Sequence, residues 1–142
     1  MKKIYLFVLM VLCVGLFAQA KGTIMTDHLV INTMVWSEYD EEYVFIPNKE
    51  RHIKMCRWSF ELVDETDNGL ITMVDVMDKT EYRFYVNHWD LAEDKEMIMC
   101  DVIEAINGNE SSIYILKNDR GEHMISVFIP QAELSLFFDN ME

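Results

Sequence analysis

From residue 28 onward, apolar and polar side chains alternate with a period of two. That spacing turns one side of an extended strand toward a core and the other toward water. Segment 54–63 is the clearest case. Cys56, Trp58, Phe60 and Leu62 share one phase, and Arg57, Ser59 and Glu61 the other. The same pattern predicts strands over 29–36, 43–46, 70–77, 82–86, 97–106, 112–116, 124–129 and 134–138.

The breaks between these segments carry turn chemistry. They include Asp64 through Asn68-Gly69, Asp78-Lys79-Thr80, Asn107-Gly108-Asn109 and Asn118 through Gly121. Pro47 and Pro130 fall at strand ends, where a missing N–H does least harm. Only residues 90–96 could form a helix, and that stretch is short and highly charged. Turns about 10–14 residues apart favour hairpin neighbours. The expected fold is all-β: one small antiparallel β-barrel or β-sandwich of about eight strands, with mostly meander connections. A meander favours a barrel with an internal cavity, whereas a longer connection over 87–95 would suit a strand crossing between sheets.

The N-terminus reads differently. Lys2 and Lys3 precede an apolar run over 4–17 broken only by Gly15, and Ala18-Gln19-Ala20 closes it. A basic end, a short apolar core and a small-x-small site make a bacterial-type secretory signal. Residues 1–20 are therefore expected to be removed, leaving 21–142 as a single domain in the periplasm or outside the cell. The run is shorter than the roughly 20 apolar residues of a membrane span, and no second run approaches that length. Cys13 follows Leu12 within the run, which argues against a lipid anchor.

Charge narrows the partners. Loss of Lys2 and Lys3 leaves ten cations against 25 acids, a net charge of −15. No Lys/Arg cluster interrupts this excess, so nucleic acid and anionic membrane surfaces would be repelled. The excess suits a soluble monomer, or a face for a basic partner or divalent cations.

Cys56 and Cys100 are an even pair in an oxidising compartment, open to a disulfide worth about 4 kcal/mol or to use as buried thiols. The best site candidate is His88-Trp89-Asp90 with Tyr85 and Asn87, expected beyond a strand end. There Trp89 could stack on a ligand; its structural alternative is a lid over one end of the core. Asp64 to Gly69 faintly resembles a calcium loop, but its flanks read as strands and its twelfth position is Asp75. It reads as a hairpin turn, and Asp40-Glu41-Glu42 as a solvated acidic one.

His28, His52, His88 and His123 show no ligand spacing, so no metal site is expected. The serines lack a strained elbow, and both cysteines lie inside strand patterns without the setting a thiolate needs. Nothing supplies an activated nucleophile, and no cofactor is called for. Asn109-Glu110-Ser111 matches a glycosylation sequon by chance in a bacterial-type product. Met73, Met77, Met97 and Met99 read as core filling or as the lining of a flexible apolar pocket. Two functions follow: a module binding an apolar or sugar-like ligand, or an acidic accessory or inhibitor domain that docks a protein partner. A cavity would favour the first, and a filled core with an acidic, aromatic-bearing face the second.

Overall fold

In a computed structural model, which describes residues 19–63, 68–92, 97–117 and 120–140, the chain forms a closed antiparallel barrel. Eight strands run in meander order: β1 (Gln19–Ser37), β2 (Glu42–Val63), β3 (Asn68–Asp75), β4 (Thr80–Ala92), β5 (Met97–Glu104), β6 (Glu110–Lys117), β7 (His123–Ile129) and β8 (Leu134–Asp139). Each pairs with the next, and β8 returns to β1 through His28↔Asp139 to Thr33↔Leu134. His28 Nδ1 lies 2.7 Å from Asp139 Oδ1 across that closing seam.

Alternation fills the inside. Trp58, Leu62, Ile71, Ile98, Ile113, Ile115, Ile125 and Val127 are essentially fully buried. The Trp58 indole N–H donates to Thr26 Oγ1 at 3.2 Å, and its ring meets Phe138 edge-on at 4.9 Å. A closed wall leaves no free sheet edge along the paired stretch, so one apolar face per strand suffices. Gly69 allows a close approach between β2 and β3, because a Cβ there would collide with the Glu61 carbonyl oxygen and the Leu62 side chain.

Several expectations change. The segments 43–46 and 54–63 are one strand, β2. Pro47 interrupts the sequence pattern but falls where β2 pairs on one side only, between Asn32↔Lys49 and Met34↔Phe45. A proline is tolerated on such an unpaired edge and at a register shift. Beyond that shift the β1–β2 ribbon continues as an arm that meets the β7–β8 turn and Phe128 of β7. Met34 N–H donates to Glu133 O at 2.8 Å, and the Tyr43 ring meets Phe128 at 5.2 Å.

Residues 87–92 are not a connection or a helix but the second half of β4. The rest of that helix expectation, 93–96, lies outside the described residues, as do 64–67 of the acidic turn and 118–119 of another. Residues 1–18 of the expected signal also lie outside them, while Gln19 and Ala20 open β1 opposite Val63 and Leu62. Among the described residues, no helix is long and apolar enough to cross a membrane.

Candidate functional site

The loops over 76–79, 105–109 and 130–133 gather at one end of the barrel, where the β1–β2 arm also leaves it. Within that end lies a cavity of about 300 Å³. Its apolar wall comes from inward positions on six strands: Leu29, Trp58, Met73, Phe84, Val127, Ile129, Leu136 and Phe138. Its polar groups are Lys54, Tyr82, Glu104, Asn107, Asn109 and Ser111. Tyr82 and Asn107 are exposed, which places solvent at the rim. A second pocket of about 330 Å³ lies alongside, sharing Leu29 and Lys54 and adding Ile31, His52, Ile53, Asp75, Met77 and Asp78.

Lys54 stands between the two pockets because it keeps the inward phase of Cys56 and Trp58 just past the last β2–β3 pair, Cys56↔Asp75. Its Nζ lies 2.7 Å from Asp75 Oδ2; the lysine side chain is 35% exposed and the aspartate 5%. Asp75 Oδ1 also accepts the backbone N–H groups of Met77 and Asp78 at 3.1 and 3.2 Å, holding the β3–β4 turn. The Lys54 ammonium and those N–H groups keep the Asp75 carboxyl below the usual carboxylate range. Its bond to Asp75 likewise raises the Lys54 pKa. Across the mouth, Glu104 is committed to its own loop. Oε1 accepts Asn107 N–H at 3.0 Å, and Oε2 accepts Ile106 N–H.

The five residues that the sequence pattern singles out are not part of this cavity. Tyr85, Asn87, His88 and Asp90 are exposed on the barrel wall, and Asn87 lines an outer groove with Asp101, Glu110 and Ser112. Trp89 is the correction. It is 7% exposed, packed in the core, with its indole N–H donating to Val63 O at 3.1 Å. The cause is a bulge. Val86 opposes Val102 but His88 opposes Asp101, so Asn87 is an extra residue that reverses the alternation. Phe84 and Val86 point inward before it, and Trp89 after it.

Cys56 and Cys100 do not form the disulfide. They are free, buried thiols on β2 and β5, which are not neighbouring strands. Burial first, then the Asp75 carboxylate, pushes the Cys56 thiol up to about 11. Burial, with Asp101 second, pushes Cys100 up to about 12. Such thiols serve as small apolar groups, not nucleophiles. Met73 lines the cavity, whereas Met77 is largely exposed. Among the described residues no group of three His, Cys, Asp or Glu side chains could hold a metal ion.

From the sequence, Asp75 stands out only as the last position of a faint calcium loop and Lys54 not at all, although a signal is present: both are ionisable residues standing in an apolar phase. The arrangement can hold a ligand. It presents aromatic and aliphatic walls with a few polar groups at one end, the usual make-up of a small-molecule site. No protein-family model, curated protein or solved structure matches this chain.

Proposed function

We propose that this protein is an exported binding module that carries a small, largely apolar ligand inside its barrel. The observation that carries the reading is the cavity of about 300 Å³ walled by Trp58, Phe84, Leu136 and Phe138. At roughly 30 Å³ per water-sized group, that volume takes about ten heavy atoms. Binding on the order of micromolar is expected from burying a ligand of that size. Export is supported by the basic, apolar and small-residue segments over 1–20. The test is a titration with 1-octanol followed by methyl resonances. Shifts at Val127, Ile129 and Leu136 are expected; shifts confined to the outer wall would overturn the reading.

A second reading draws on the β1–β2 arm. Trp36, Tyr39 and Phe45 are 49%, 96% and 56% exposed there, among the exposed acids Glu38, Asp40, Glu41 and Glu42. Aromatic anchors within an acidic rim suit a basic protein partner. Photo-crosslinking from position 39 in the exporting cell tests it. A single basic protein as adduct supports this reading, and no discrete adduct sinks it.

A further inference from the structure

We infer that the carried ligand is a short-chain amphiphile whose polar end is a carboxylate, received by the Lys54 ammonium at the cavity mouth. This rests on the reading of the barrel as a ligand carrier and specifies its ligand class. Some polar valences at the mouth and in the pocket beside it are already used. Both oxygens of Glu104 accept backbone N–H groups of their own loop. Asp75 is occupied by Lys54 and by two turn N–H groups. Glu104 is thus tied to its own loop and Asp75 to its turn, with the Asp75 charge already matched by Lys54. Lys54 is different, because an ammonium has three donors and Asp75 takes one.

Among the described residues lining this cavity, Lys54 is also the one cation. Its charge is held by Asp75, which raises its pKa against the effect of partial burial. The ammonium therefore stays ionised on a side chain that lines an apolar cavity. A carboxylate placed there gains a charge-assisted hydrogen bond in a partly desolvated setting, stronger than a hydroxyl would make. Asn107, Asn109 and Ser111 add neutral donors around the same opening. The net charge of the protein opposes an anion at long range, but screening limits that effect beyond about 8 Å. The volume sets the tail: about ten heavy atoms correspond to a chain of roughly eight carbons with its carboxylate.

The test compares octanoate, 1-octanol and octylamine by calorimetry on the whole protein. Octanoate is expected to bind about tenfold or more tighter than 1-octanol, with octylamine weakest. The double variant Lys54→Met/Asp75→Asn removes both charges together, while the amide oxygen introduced at position 75 can still accept from the turn. It should lose the preference for octanoate over 1-octanol. Equal binding of octanoate and 1-octanol by the unaltered protein overturns the inference and leaves the carrier reading standing. A preference that survives in the folded double variant also overturns it, by placing the carboxylate elsewhere. If none of the three compounds binds, both readings fall. The ligand comparison on the unaltered protein stands even if the variant does not fold.

Discussion

Lys54 Nζ lies 2.7 Å from Asp75 Oδ2 where β2 leaves β3, so the lysine of a partly enclosed ion pair borders the barrel's cavity and its aspartate the pocket alongside. The two members differ in what they can give up. Asp75 is nearly enclosed and Lys54 is one-third exposed, so removing the lysine leaves a buried carboxylate, whereas removing the aspartate leaves an ammonium that water can reach. Lys54→Met should therefore destabilise the fold by about 1–3 kcal/mol, below the roughly 3–5 of a fully buried pair because solvent screens the lysine. Urea denaturation at neutral pH checks this. No change in midpoint would mean the pair is solvated in practice.

The acid response has two windows. The folded-state pKa of Asp75 is depressed, so its stabilisation is present above about pH 3.9 and is lost as pH falls through the lower folded value. Burial, with Lys117 second, depresses His123. Its share is present above about pH 6.5 and is lost as pH falls through the folded value, because the unfolded imidazole protonates first. Melting temperature against pH should fall in both windows. His123→Gln should remove the upper one only, and a variant that kept it would rule out this histidine as the cause.

Both thiols should be silent in the folded protein. With Cys56 raised to about 11 and Cys100 to about 12, neither forms thiolate near pH 8, and both are enclosed. Raised thiol pKa values also have a stability consequence: above about pH 8.5 the unfolded thiols ionise first, so stability should decline as pH rises further. A thiol reagent at pH 8 should modify none of the protein in buffer and two cysteines of the chain from Lys21 in denaturant. Two unreactive sulfurs in denaturant without reductant would instead reveal a bridge.

Trp89 and Trp58 should respond alike to truncation. Each is buried and each indole N–H has an acceptor, Val63 O for Trp89 and Thr26 Oγ1 for Trp58. Either change to Ala should cost about 3–5 kcal/mol, read from chemical denaturation. A Trp89→Ala protein with an unchanged melting temperature would return Trp89 to the surface.

These positions show what alternation can and cannot reveal. Phase alone places Trp58 inside, and it places Lys54 and Asp75 inside as well once their charge is not taken as proof of exposure. Trp89 is illegible because one extra residue, Asn87, reverses the phase, and a bulge leaves no fixed mark in a single sequence. Turn chemistry and period two are enough for an antiparallel meander; closure is not, because it depends on six pairs between segments over 100 residues apart. The arm is hidden for the opposite reason: Pro47 reads as an end to a strand that in fact continues. The meander and Met73 hint at a cavity, but its size and place have no sequence signal, being the small difference between the barrel's volume and that of its side chains.

That difference can be removed on purpose. Ile129 lines the cavity from the end of β7 and is only partly buried, so a larger side chain there can grow into empty space instead of displacing packed neighbours. Overpacking a filled core costs about 1–3 kcal/mol. Filling this one should cost less, since the added atoms gain contacts that the cavity walls now lack. Ile129→Trp is therefore expected to keep its melting temperature within a few degrees of the parent while weakening 1-octanol binding by more than about tenfold. The two readouts separate the alternatives. A large drop in melting temperature would mean the space is too small to accept an indole, and the cavity too small to carry the ligand. Unchanged affinity in a stable variant would place the ligand outside the barrel and end the case for this cavity as its site.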